Sequence, residues 1–171
     1  MNTSSSSDLS RRRFFKLSAV ATGAAAVAGI SSHKVMAATA GSDRIRVGVI
    51  GCGGRGTGAA PNCLDSSAGV EIVALGDLFQ RQVDAAETKL KLKNVQKFSG
   101  FDAYQKVLAS EVDLVILATP PGFRPTHFEA AVNAGKHIFT EKPVAVDPVG
   151  CRQFIAAAQK AKQKRLAVVA G

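Results

Sequence analysis

Glycines recur at short, regular spacing in one stretch of the chain, and their spacing limits what this stretch can bind. The stretch reads Gly51, Cys52, Gly53, Gly54, Arg55, Gly56 and follows the β-branched apolar run Ile45–Ile50. In the pattern Gly-x-Gly-x-x-Gly, the first glycine permits a tight turn out of a strand, the second leaves room for a phosphate, and the third lets a helix pack close to the strand. The helix's first amides then face the negative charge. The stretch predicts a dinucleotide-binding turn, with an ordinary glycine loop as the alternative.

A carboxylate stands where such a turn needs an acid, roughly 20 residues further along the chain. Asp77 follows the apolar run Val70–Leu75, which predicts a second strand. A carboxylate there accepts hydrogen bonds from both hydroxyls of the adenosine ribose, whereas a 2′-phosphate at about 4 Å costs on the order of 4 kcal/mol at an effective dielectric constant near 20. NAD is therefore favoured over NADP, although nearby Arg81 softens this repulsion. The alternative for Asp77 is a solvated strand-end or helix-capping aspartate.

Apolar runs alternate with stretches of helical spacing, and this alternation predicts the fold. Strands are expected at 45–50, 70–75, 95–98, 112–118, 137–140 and 166–170. Helices are expected at 80–92, from a cap at Asp102 to about 109, at 125–133, and from a cap near Asp147 to about 162. The result is a Rossmann-type α/β fold, a doubly wound parallel sheet with right-handed crossovers. Such sheets bind ligands at the carboxyl ends of their strands, where Thr119 and Pro120 follow a strong apolar run.

Two longer motifs follow the glycine turn and Asp77. They read DLVILATPP at 113–121 and AGKHIFTEKPVA at 134–145. Together, these motifs resemble the N-terminal half of the Gfo/Idh/MocA oxidoreductases, and the resemblance covers residues 44–171. It implies an NAD- or NADP-dependent enzyme that transfers hydride between nicotinamide and a hydroxyl of a sugar, polyol or related small molecule.

The resemblance gives the motif Glu141-Lys142-Pro143 its roles. It implies that Lys142 lies beside the nicotinamide ribose and the substrate hydroxyl, where a cation stabilises the developing alkoxide and relays the proton. From the residues alone Lys142 would be a surface lysine, and His127 is interpreted as structural. The expected cofactor contacts are Gly51, Gly53, Gly54, Arg55, Gly56, Asp77, Thr119, Pro120, Glu141, Lys142 and Pro143.

The chain is expected to be the cofactor-binding half of such an enzyme. In the family, the catalytic histidine belongs to a C-terminal α/β domain, and this sequence stops at Gly171 directly after a predicted strand. A fragment of a longer gene or a truncated product is therefore expected, with a homo-oligomer as the full-length form. Two alternatives stay open, namely an NAD-dependent glycoside hydrolase of the same family and a nucleotide-binding module without catalysis.

The first forty residues have the order of a twin-arginine export signal. Residues 10–16 read SRRRFFK, residues 17–30 are uncharged and rich in alanine and glycine, and residues 38–40 are small. We expect residues 1–40 to be a signal peptide read by the export machinery, and residues 41–171 to be a periplasmic domain. The apolar run is shorter than the roughly 20 residues that span a membrane, so no stable anchor is expected. A basic N-terminus followed by a surface helix is the alternative.

The excess of positive charge is spread along the chain. The formal net charge is +9, and it falls to +5 without residues 1–40, which hold five basic residues and one acidic residue. The remaining lysines lie on predicted helix faces without interleaved aromatic residues, which indicates solvated surfaces and not a nucleic-acid interface. The cysteines Cys52, Cys63 and Cys151 lack metal-site spacing, so no metal is expected.

Overall fold

The computed structural model describes residues 44–171, which form a six-stranded parallel sheet with helices on both faces. In chain order the elements are β1 (Ile45–Ile50), α1 (Gly54–Asp65), β2 (Val70–Asp77), α2 (Gln80–Leu90), β3 (Gln96–Ser99), α3 (Ala103–Ala109), β4 (Leu114–Leu117), α4 (Arg124–Asn133), β5 (His137–Thr140), α5 (Pro148–Gln163) and β6 (Val168–Ala170). The predicted doubly wound α/β fold is confirmed. The predicted export signal lies outside the described residues.

The strand order is β3-β2-β1-β4-β5-β6, so β2 and β3 are added on one side of β1 and the strands from β4 onward on the other. The chain first builds outward from β1 to β3, and then crosses back to place β4 on the other side of β1. At the carboxyl end of β1, Ile50 is paired with Gly76 of β2 and with Leu117 of β4. The loops that follow β1 and β4 therefore leave in opposite directions, and a crevice opens between them.

Two apolar clusters cover the two faces of the sheet. Residues 47 and 49 of β1 pack in the cluster that includes α1 and α2, whereas Ile50 packs in the cluster of α3, α4 and α5. The same alternation separates Ile116 from Val115 and Leu117 in β4. Because neighbouring side chains of a strand point to opposite faces, β1 and β4 are buried from both sides. These two strands form a rigid floor for the crevice.

The structure moves several predicted boundaries. Strand β2 continues to Asp77, and β4 is shorter than predicted, at Leu114–Leu117. Strand β6 begins at Val168 and not at Leu166, because the amide of Leu166 bonds to the carbonyl oxygen of Ala161 and completes the end of α5.

The two predicted helix caps have different outcomes. The Asp147 side chain accepts a bond from the amide of Gly150 at 2.7 Å, as a cap does. Asp102 precedes α3, but its side chain makes no capping bond and instead pairs with Lys106 at 2.9 Å. Among residues 44–171, none of the helices is both long and apolar enough to cross a membrane.

Candidate functional site

A cavity of about 610 Å³ opens along the carboxyl ends of the strands. Its wall includes residues that follow β1, β2, β4 and β5, which are adjacent in the sheet. The predicted site residues in this wall are Gly51, Gly53, Gly54, Arg55, Asp77, Thr119, Pro120 and Lys142. The other three, Gly56, Glu141 and Pro143, do not line the cavity. The structure thus brings together residues that are up to 91 positions apart in the sequence, from Gly51 to Lys142.

The three glycines of the predicted turn have different surroundings. Gly51 has a φ of +96°, and a Cβ there would lie 2.6 Å from the amide nitrogen of Thr119. A Cβ on Gly56 would lie 1.9 Å from the carbonyl oxygen of Gly51, so this glycine allows α1 to approach the strand. A Cβ on Gly53 would meet nothing within 4 Å. The space in front of Gly53 is open, at the start of α1 where backbone amides attract a phosphate.

Asp77 lines the cavity and accepts hydrogen bonds from two backbone amides beside it. One carboxylate oxygen accepts a bond from the amide of Cys52 at 2.8 Å, and the other accepts one from the amide of Phe79 at 3.0 Å. Each carboxylate oxygen has a second lone pair, so two bonds leave capacity for a pair of hydroxyl donors. The arrangement holds the glycine turn against the end of β2 and still presents a negative charge to a ligand.

Cys52 is buried in the glycine turn, and its thiol stays protonated at neutral pH. Burial, helped by the negative charge of Asp77, raises the pKa of its thiol to about 12. Its Sγ lies 3.5 Å from the carbonyl oxygen of Gly76. All three cysteines are unpaired, and in residues 44–171 no group of three or more His, Cys, Asp or Glu side chains is arranged to hold a metal ion.

An ion pair joins the glycine turn to the loop after β5. The Arg55 guanidinium binds a carboxylate oxygen of Glu141 at 2.5 Å. The Glu141 side chain is 6% exposed and that of Arg55 is 73% exposed, so a buried carboxylate binds an exposed cation at the cavity wall. Glu141 directly precedes Lys142, whose peptide bond to Pro143 is cis. The pair therefore links the glycine turn to the residue that precedes Lys142.

Arg124 is a residue that the sequence interpretation missed. It is 4% exposed, and its guanidinium donates to three backbone carbonyls, those of Thr119, Glu141 and Pro143. Burial lowers the pKa of this guanidinium, while the charge of Glu141 raises it. Arg124 is the first residue of α4, where a positive charge opposes the helix dipole. That misfit is the sequence signal that points to a role outside the helix.

His127 reaches the same loop from the next turn of α4. Its Nδ1 lies 3.1 Å from the Thr119 hydroxyl, and its ring stacks on that of Tyr104 with 4.3 Å between centroids. Burial lowers the pKa of His127 to about 4, so the imidazole is neutral at neutral pH. A neutral, stacked histidine bonded to the cavity wall positions Thr119, in line with the structural interpretation.

Comparisons with known proteins agree with this geometry. A family model described as an oxidoreductase family with an NAD-binding Rossmann fold matches residues 45–169. Inositol 2-dehydrogenase of Klebsiella pneumoniae strain 342 is 33% identical over 127 residues, covering 72% of this chain and 36% of that protein. A glycosyl hydrolase family 109 protein of Shewanella amazonensis is 31% identical over 156 residues, covering 81% of this chain and 34% of that protein.

A solved structure shows the same fold with ligands bound. Scyllo-inositol dehydrogenase of Lactobacillus casei, with NAD(H) and scyllo-inositol, is 25% identical, with a TM-score of 0.63 over 75% of this chain and 36% of that one. The chain thus spans about a third of the length of the relatives it matches. With the family model matched over nearly all of the described residues, the chain belongs to the Gfo/Idh/MocA oxidoreductases, of which it carries the NAD-binding Rossmann domain.

Proposed function

We propose that this chain binds NAD in the crevice between β1 and β4 and serves an enzyme that transfers hydride between nicotinamide and a hydroxyl of a sugar or polyol. The observation that carries the proposal is that one cavity brings together the open glycine turn, Asp77 and Lys142. Two kinds of relatives support the substrate class. Inositol 2-dehydrogenases share about a third of their matched residues with this chain, and one structural neighbour holds NAD(H) together with scyllo-inositol.

Each end of the cavity suits a different part of the cofactor. The amides that open α1 suit the pyrophosphate, and Asp77 suits the adenosine ribose. The nicotinamide end then falls to Thr119 and Lys142, which follow β4 and β5. Bound NAD supplies the ring that accepts or donates hydride, and Lys142 stabilises the negative charge that develops on the substrate oxygen. Glu141, bound to Arg55, keeps Lys142 in place.

Binding of NADH to the purified chain tests the first half of the proposal. We expect wild type to enhance NADH fluorescence, and Gly53→Val to abolish the enhancement because its side chain fills the space of the phosphate. Gly58→Val is the matched control, since Gly58 is an exposed residue of α1 whose Cβ would also meet nothing within 4 Å. Absence of binding by wild type, or equal loss in both variants, would contradict the proposed phosphate site.

The choice of NAD over NADP rests on Asp77. A 2′-phosphate in contact with this carboxylate costs on the order of 4 kcal/mol, by the estimate for like charges at about 4 Å. Arg81 stacks on the ring of Phe79 at 5.3 Å, and it would give up this contact to bind the phosphate. We expect Asp77→Asn to raise NADPH affinity relative to NADH, because the amide oxygen still accepts from the Cys52 amide, while the charge and the acceptor for the Phe79 amide are lost. Asp65→Asn, at the exposed end of α1, is the control that leaves the ratio unchanged.

Hydride transfer is tested with the longest form of the chain that its gene encodes. NADH formation from NAD should accompany oxidation of an inositol or a related polyol. Lys142→Met should lower this rate, whereas Lys93→Met, a change of an exposed lysine, should not. Normal turnover of Lys142→Met would remove the proposed role of this lysine.

The glycoside hydrolase alternative keeps one observation in its favour. The match to the Shewanella protein covers 81% of this chain and therefore extends beyond residues 44–171, whereas the Klebsiella match covers 72%. Such an enzyme would use the same cavity, but NAD would return to its starting state after each turnover. Release of nitrophenol from a nitrophenyl glycoside without net NADH formation would favour the hydrolase over the dehydrogenase.

We also propose that residues 1–40 export the protein through the twin-arginine route to the periplasm. The support is the order of a paired arginine motif, an uncharged run and small residues. A reporter fused to residues 1–43 should be exported, and the double change Arg11→Lys with Arg12→Lys should block this. Arg13→Lys is the matched control, because it makes the same substitution at the neighbouring arginine, outside the pair. Export that survives the double change would contradict the route.

A further inference from the structure

We propose that Arg124 is a positioning residue that sets the nicotinamide end of the cavity by binding the loops after β4 and β5 to each other. This inference rests on the proposed function and deepens it, because it assigns the residue that holds Thr119 and Lys142 in register. None of the motifs described in the sequence includes a role for Arg124.

The guanidinium of Arg124 contacts both loops. One terminal nitrogen of Arg124 donates to the carbonyl oxygen of Glu141 at 2.7 Å and to that of Pro143, while the other donates to the carbonyl oxygen of Thr119. Glu141 and Pro143 flank Lys142, so the backbone on both sides of this lysine is held. Thr119 belongs to the loop after β4, and both Thr119 and Lys142 line the cavity. One side chain thus sets the distance between two walls.

The cost of burying this charge argues against a purely stabilising role. Arg124 is 4% exposed, its Nε has no hydrogen-bond partner among the described residues, and burial lowers the pKa of its guanidinium. An apolar side chain of similar volume would avoid this desolvation, but it would leave the three carbonyl groups without this donor. What an apolar side chain cannot do is bond to three carbonyls on two loops. A planar guanidinium does so, and a lysine ammonium lacks this fork.

The position of Arg124 at the start of α4 makes its effect local. Its partners follow β4 and β5, whereas Asp77 ends β2 and the glycine turn follows β1, on the other side of the crevice. The adenosine end is held by a separate contact, from Asp77 to the amide of Cys52. Loss of Arg124 should therefore disturb the nicotinamide end and spare the end that binds ADP-ribose.

Two ligands and two variants test this on the purified chain. Affinities for NAD and for ADP-ribose, which lacks the nicotinamide, are measured by calorimetry for wild type, Arg124→Met and Arg124→Lys. We expect both variants to bind NAD about tenfold more weakly, which corresponds to ~1.4 kcal/mol, and to bind ADP-ribose as wild type does. Arg152→Met, the same change at an exposed residue of α5, should alter neither affinity.

Two other patterns would overturn the proposal. Equal loss of both ligands, together with a lower melting temperature, would show that Arg124 only supports the fold. Loss of both ligands in Arg124→Met that Arg124→Lys restores would show that the charge alone attracts the anionic cofactor.

A measurement without ligand keeps this inference separate from the proposed function. In Arg124→Met, the backbone amides of Thr119, Gly122, Phe123, Glu141, Lys142 and Val144 should exchange with solvent faster than in wild type, while those of β1 and β4 keep their protection. Unchanged exchange in the two loops would overturn the positioning role whether or not the chain binds NAD. Failure of wild type to bind NAD, with the two loops still loosened in the variant, would instead refute only the proposed function.

Discussion

Polar side chains around the cavity bind the backbone of the segments that form its wall. Asp77 accepts from Cys52 and Phe79, and Arg124 donates to carbonyls on two loops. Several of these contacts were hard to predict because the partners are far apart in the sequence, as with Arg55 and Glu141, which are 86 positions apart. The glycine turn and Asp77 were recognisable because their spacing follows from the chemistry of one ligand. The neighbours that hold them in place depend on the tertiary fold.

A dependence of stability on pH follows from His127. Its pKa is about 4 in the folded protein and 6.5 when unperturbed. Between these values the unfolded chain binds a proton that the folded protein does not, so the free energy of unfolding should fall as the pH drops from 6.5 to 4. Urea denaturation across this range measures the slope, and His127→Gln should flatten it. A wild-type slope in His127→Gln would contradict this prediction, because it would show that burial of His127 does not govern the stability in this range.

At the scale of helices and strands, local signals located the elements, and tertiary contacts set their ends. The Asp147-Pro148 pair marked the start of α5 correctly, because both its capping and its fixed φ act within one turn. The start of β6 was wrong because Leu166 bonds back to the helix, which depends on how α5 ends. Asp102 marked a helix start without capping it, since its carboxylate pairs with Lys106 instead.

The glycines of α1 predict opposite effects on stability. Gly56→Ala places a Cβ 1.9 Å from the carbonyl oxygen of Gly51, so helix and strand must separate, at a cost of ~1–3 kcal/mol. Gly58→Ala meets open space on the same helix, and it should raise the free energy of unfolding by roughly 0.5–1 kcal/mol. Urea denaturation of the two variants tests this pair. Equal effects would mean that the close approach at Gly56 does not constrain the packing of α1.

The two aspartates before helices predict a second matched comparison. Asp147→Ala removes the bond to the amide of Gly150 and should lower the free energy of unfolding by ~1 kcal/mol. Asp102→Ala removes only an exposed pair one helical turn apart, so it should cost less than loss of the cap. Chemical denaturation should rank Asp147→Ala as the more destabilised variant, and the reverse order would show that the cap of α5 contributes little.

At the scale of the whole molecule, β6 forms one edge of the sheet among the described residues. All three of its residues are exposed, and Val168 and Val169 are 37% and 58% exposed. An edge strand presents unpaired backbone groups that can pair with a further strand or chain. The homo-oligomeric state expected of the full-length protein stays a prediction, and light scattering of the purified protein would check it.

Because β1 lies between β2 and β4, the growing chain should become able to bind NAD only after β4 has been synthesised. The glycine turn is braced on one side by β2, where the Gly51 amide bonds to the Gly76 carbonyl, and on the other by β4, where the Ala118 amide bonds to the Ile50 carbonyl. During synthesis β2 leaves the ribosome before β4, so the glycine turn of the growing chain is at first bonded to β2 alone. NAD should therefore protect the growing chain from protease only when the chain is long enough for Ala118 to have left the ribosome.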